Sequence, residues 1–108
     1  MYKFEPMSIK NGSLFAKEGA SASEVFFLIS GCVECEIQKK YFLEGTVFGE
    51  TDVVLGRNRS DSYKARGDCY ILKLNKATFM QILDEFSDFR KDIHKMVTER
   101  EKNRLEKI

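Results

Sequence analysis

The sequence predicts a mainly β domain with C-terminal helices. It reads as a small antiparallel, jelly-roll-like β-roll over about residues 3–74, followed by two helices over about 76–108, all in one domain. Three observations carry this reading. Short apolar runs are broken repeatedly by glycine turns, which suits a roll or sandwich rather than a parallel sheet. The hydrophobic period changes from two to 3.6 at Asn75. The 108 residues are 43% apolar and include nine Phe, enough for one packed core.

The elements follow in order. Glu5 to Lys10 is extended, with Pro6 tolerable on an edge strand. Asn11 and Gly12 make a turn into a strand over Leu14 to Lys17, and Gly19 to Ser23 is a polar loop. Val25 to Ser30 is continuously apolar, the pattern of a strand buried on both faces, and Gly31 is expected to turn the chain. Cys32 to Gln38 alternates, with Val33, Cys35 and Ile37 on one face, and pairs with Tyr41 to Glu44 about a tight Lys39-Lys40 hairpin. Gly45 turns the chain again. Ser62 to Ala65 and Cys69 to Leu74 read as two strands broken by Arg66, Gly67 and Asp68.

Asn75 is an N-cap candidate, and Phe79, Ile82, Leu83 and Phe86 share one helical face. Ser87 or Asp88 starts a second helix, with Phe89, Ile93, Met96 and Val97 apolar. Beyond Val97 the stripe stops, and only Leu105 and Ile108 remain as anchors. The outer half is either a solvated helix braced by Glu99–Lys102 and Glu101–Arg104 pairs or a segment that closes on a partner.

Composition excludes several function classes. Eighteen Lys and Arg against 17 Asp and Glu give no electrostatic reason to expect a nucleic-acid partner. No apolar run approaches the ~20 residues of a membrane-spanning helix, and no secretory signal pattern opens the chain. The chain reads as soluble, and its first residues enter strand-like sequence at once, as expected of a piece of a larger parent. Three cysteines argue against a disulfide framework, and reduced thiols suit the cytosol. Cys32 and Cys35 form a C-x-x-C, but residues three apart in a strand point oppositely and share a metal poorly. With His94 as the one histidine and no nucleophile–base pair, the sequence predicts no enzyme, no metal and no cofactor.

The stretch from Phe48 to Ala65 is the candidate site. A short helix over Gly49 to Val54 would aim its first N–H groups at one spot, an arrangement suited to an anion. Gly49 lets a ligand approach the backbone, Glu50 can accept from a sugar hydroxyl, and Gly56 ends the helix so that Arg59 returns over its start. Arginine makes charge-assisted bonds to phosphate oxygens. The residues alone support an anion site and nothing narrower.

The chain resembles the cyclic nucleotide-binding domain family. That family reads F-G-E, a short helix, then P-R-x-x-[TS]. Phe48-Gly49-Glu50 and Arg59-Ser60-Asp61-Ser62 stand at that spacing, flanked by matching strands before and a matching strand and helix after. The resemblance implies a cassette helix that binds phosphate and a ligand that is cyclic AMP or cyclic GMP. Glu50 would take the ribose 2′-hydroxyl, Arg59 the cyclic phosphate, and backbone amides near Asp52 and Ser60 the same phosphate, with Thr51 also among the ligand-binding residues. Ser62 would meet a guanine amino group or phosphate, while Val33, Phe42 and Val47 would wall the base and Arg100 would lie over it.

The final stretch looks most like the cytoplasmic domains of voltage-gated and hyperpolarisation-activated cation channels. That likeness implies a cytoplasmic location, a pore region in the parent chain and a homotetramer. Three positions depart from the family pattern: Asp52 and Asp61 replace small residues, and Asn58 replaces proline. A carboxylate within ~4 Å of a phosphate costs about 4 kcal/mol at an effective dielectric of 20. Asp52 opposes phosphate if it points inward and is a favourable first-turn acid if it points out. Two functions follow: a nucleotide-binding regulatory domain, or a degenerate domain that binds none and serves channel assembly or protein interaction.

Overall fold

A computed structural model describes residues 2–106. The chain forms strands β1 (Glu5–Ile9), β2 (Leu14–Ala16), β3 (Glu24–Cys35), β4 (Lys40–Phe42) and β5 (Val47–Phe48), helix α1 (Glu50–Val54), strand β6 (Tyr63–Asn75), and helices α2 (Lys76–Glu85) and α3 (Ser87–Glu106). The six strands make one antiparallel sheet in the order β1-β6-β3-β4, with β2 on β6 and β5 on β3. The expected β-roll with C-terminal helices is therefore the observed architecture.

Strand boundaries differ from expectation where glycine looked like a stop. Gly31 does not turn the chain. It sits inside β3 at φ 102°, within the second of two shifts of register against β6, the one between Ser30 and Cys32. A Cβ there would meet Asp68 O at 2.7 Å and Cys69 Sγ at 2.8 Å, so β6 bulges against the bare glycine. The two last predicted strands are likewise one, β6, running through Gly67. Bulges let long strands coil into a roll without ending them. The β3–β4 hairpin turns over residues 36–39 rather than at Lys39-Lys40, which leaves Ile37 exposed in the turn instead of beside Val33 and Cys35.

Only the start of β3 is covered on both faces. Val25 and Phe26 are buried on opposite sides, whereas Phe27 and Ile29 are over a third exposed. The roll interior packs Phe48 between Phe42 and Phe26, with ring centroids at 5.0 and 5.2 Å, and sets Tyr63 edge-on at 5.3 Å. A second cluster joins the sheet to the helices through Val25, Val53, Leu74, Phe79, Leu83, Ile93 and Val97. Asn75 caps α2, its Oδ1 accepting from the Thr78 amide at 2.8 Å. Of the predicted helical faces, Phe86 lies half exposed at the end of α2, and Phe89 and Met96 are half-buried.

The outer half of α3 is not held by apolar anchors. Leu105 is 55% exposed, and Ile108 lies outside the described residues. Ion pairs to the cassette hold this half instead.

Candidate functional site

The turn from β5 into α1 places the cassette. Phe48 is fully buried and fixes the entry, so it supports the site from the core and does not face it. Gly49 caps α1 at φ 79°, and its missing Cβ leaves room for Arg59 Nη1 and the Phe26 ring, which a Cβ would approach to 2.9 and 3.0 Å. With only five residues, α1 has little dipole of its own. The site's electrostatics therefore come from side chains.

Those side chains form one connected set. Glu50 is fully buried, and Arg100 Nη1 donates to its two oxygens at 2.7 and 2.9 Å and to Val47 O at 2.9 Å. The Thr51 hydroxyl donates to Glu50 at 3.1 Å. Asp52 points inward: Oδ1 accepts from Arg57 Nε at 2.7 Å, and Oδ2 accepts from the Ser60 amide at 3.2 Å and the Ser60 hydroxyl at 3.3 Å. Arg57 also grips both oxygens of Glu101 on α3, and Arg104 reaches Glu101 at 2.5 Å. Hydrogen bonds from Arg57, then from Arg104, hold the Glu101 carboxyl down at about 2. Arg57 itself is held strongly protonated, chiefly by its bond to Glu101.

Arg59 is buried and turned onto backbone. It donates to Gly49 O at 2.7 Å and to Glu24 O, with its guanidinium 5.4 Å from the Phe26 centroid and 5.6 Å from that of Tyr63. Asp61 neither pairs with Arg59 nor joins the cassette cluster. It accepts from the amides of Ile37, Gln38 and Ser62 at 2.8, 3.0 and 2.7 Å and so holds the β3–β4 turn. The Ser62 hydroxyl accepts from the Glu18 amide at 2.9 Å.

The expected base wall divides. Phe42 faces the cassette, with the Arg100 guanidinium 4.9 Å from its ring centroid. Val33 is fully buried in the roll core, and Val47 packs against the cluster under the helices. The period-two alternation that puts Phe48 into the roll turns Val47 away from it. Arg100 is stacked on Phe42 and paired with Glu50 of the cassette. The cavity left among Phe42, Gly49, Asp52, Arg57, Ser60 and Arg100 is about 30 Å³. Cys35 lines it as well, with burial pushing its thiol up to about 12, so it stays protonated at neutral pH. Sequence reasoning missed Arg57 and read Glu101 and Arg104 only as a solvated pair. The (i, i+3) spacing was visible, but the partner 44 positions away was not.

Comparison with known proteins agrees with this architecture. The family model described as the cyclic nucleotide-binding domain matches residues 6–86. The chain belongs to the cyclic nucleotide-binding domain family. Among solved structures, PKAR CBD2 bound to Sp-2Cl-cAMPS is similar with a TM-score of 0.80 and 24% identity, over 95% of this chain and 70% of that one. A protein from Geobacter metallireducens GS-15 named for cyclic nucleotide binding gives 0.72 and 20%, over 88% and 74%. PfPKA-R (141-441) with cAMP bound gives 0.71 and 23%, over 89% of this chain and 36% of that one. At these identities the likeness is one of fold. Comparison with curated proteins gives no match.

Proposed function

We propose that this domain is a non-enzymatic regulatory module that binds a cyclic nucleotide and passes its occupancy to the C-terminal helix. In the same reading it is the cytoplasmic part of a cation or potassium channel, assembled as a tetramer about a pore region. Family membership supports the ligand class, and the cAMP bound to PfPKA-R and the Sp-2Cl-cAMPS bound to PKAR CBD2 support an adenine ligand. The channel setting rests on the resemblance of the charged C-terminal stretch.

One observation carries the coupling: the buried Glu50–Arg100 pair. Glu50 is the group the family resemblance assigns to the ribose. A ribose hydroxyl that takes this carboxylate competes with Arg100, and Arg100 belongs to α3. Ligand and helix position are then linked, because a ligand shifts a two-state equilibrium by its differential affinity for the states.

A second reading is favoured by the cavity itself. About 30 Å³ remains among Phe42, Gly49, Asp52, Arg57, Ser60 and Arg100, against roughly 300–1,000 Å³ for ordinary small-molecule sites, although clefts of about 290 Å³ beside Arg59 and about 510 Å³ beside Phe42 and Arg100 are larger. In that reading the domain is permanently closed and serves assembly or protein interaction.

Isothermal titration with cyclic AMP and cyclic GMP, combined with amide exchange, separates the two. Nucleotide binding should release heat and speed exchange from Thr98 to Glu106, while Phe79 to Leu83 stay protected. No heat and no thermal shift at millimolar concentrations of either nucleotide sinks the first reading and leaves the second.

A further inference from the structure

We propose that Asp52 is a built-in anion that occupies the phosphate position of this cassette, and that Arg57 ties its departure to α3. The proposal deepens the nucleotide-binding reading, because it assumes that the Ser60 amide is a phosphate donor.

The geometry is that of a bound ligand. The Asp52 side chain is 3% exposed and its carboxylate has a donor on each oxygen: Arg57 Nε on Oδ1, and the Ser60 amide and hydroxyl on Oδ2. A carboxylate offers two oxygens on one centre with one negative charge. The free oxygens of a cyclic phosphodiester offer the same. A ligand phosphate and the Asp52 side chain therefore seek the same donors and cannot hold them together without like-charge repulsion.

Tethering makes Asp52 a strong competitor. A group held beside its donors by one residue acts at an effective concentration in roughly the millimolar range or above. Arg57 carries the effect outward, since its guanidinium joins Asp52 to Glu101 and so the cassette to α3. When an incoming anion displaces Asp52, Arg57 must exchange that partner, and the grip on Glu101 changes with it. The unliganded domain is in this sense already liganded, by its own aspartate.

The test uses Asp52→Ala and Asp52→Asn beside the parent, with thermal shift in inorganic phosphate or acetate at constant ionic strength. Removing the carboxylate should create an anion site: both salts should raise the melting temperature of Asp52→Ala and leave the parent unmoved. Adding Arg57→Gln to Asp52→Asn should abolish the response. Where nucleotide binds, Asp52→Asn should bind it at least tenfold more tightly than the parent. If Asp52→Ala fails to fold, Asp52→Asn with phosphate decides. Equal responses to phosphate and acetate in parent and variants overturn the proposal. A gained phosphate response with no nucleotide binding by any form upholds it and removes only the nucleotide reading.

Discussion

Arg100 on α3 and Glu50 on α1 stand 50 positions apart, yet Arg100 Nη1 bridges both carboxylate oxygens of a fully buried Glu50. This pair decides how the last helix is held. Replacing Arg100 with Ala leaves a carboxylate without its cation in the interior, a change that costs about 3 kcal/mol when a buried pair is broken. Urea unfolding of Arg100→Ala should show a loss of that order. A loss below about 1 kcal/mol would mean that solvent already screens the pair.

Arg59 has a double role to test. Its guanidinium satisfies the carbonyls of Gly49 and Glu24, and each charged bond of this kind is worth roughly 1.5–3 kcal/mol. Arg59→Ala should therefore lose stability in denaturant melts and, in titrations of the folded fraction, lose any nucleotide affinity. Undiminished affinity in a folded Arg59→Ala protein would assign the phosphate to other donors.

Acid should loosen α3 in a predictable window. Arg57 and Arg104 hold Glu101 at about 2, below the ordinary 4.5. A depressed carboxylate adds stability above its unfolded value and loses it as the pH falls through the folded one. Parent and Glu101→Gln should differ most in melting temperature at neutral pH, and the gap should close between about 4.5 and about 2. A gap that does not vary with pH would mean that the charge on Glu101 contributes nothing.

Gly31 offers a test of the fold. Its φ of 102° and the 2.7 Å approach of Asp68 O leave no room for a methyl group. Gly31→Ala should cost roughly 1–3 kcal/mol from backbone strain alone, with the clash added. Its urea midpoint should drop accordingly, while a mutation at exposed Gly12, where nothing lies within 4 Å, should cost less.

Much of the fold was legible locally. Asn75 signals its cap because a short acceptor before an apolar period satisfies a first-turn amide, as its bond to Thr78 does. The alternation of Val33 and Cys35 and the helical face of Phe79 and Leu83 both ended buried. Gly31 and Gly67 misled because glycine permits a turn and a bulge alike. Which one forms depends on whether a neighbouring strand presses against it.

The sequence by itself determined the roll, the cassette frame from Phe48 to Ser62 and the helices that follow. These depend on periodicity, turn chemistry and spacing, which act over a few residues. Only the tertiary structure decided the direction of Asp52, the commitment of Arg59 to carbonyls, and the closure of α3 through Arg57, Glu101, Arg100 and Glu50. A charged side chain buries itself only where opposite charge and donors converge, and for the closure of α3 that convergence joins residues 44 to 50 positions apart. The same aspartate would be a solvated acid if α1 faced water. Here the chain folds Ser60 and Arg57 around it, and so it becomes the anion that the site holds.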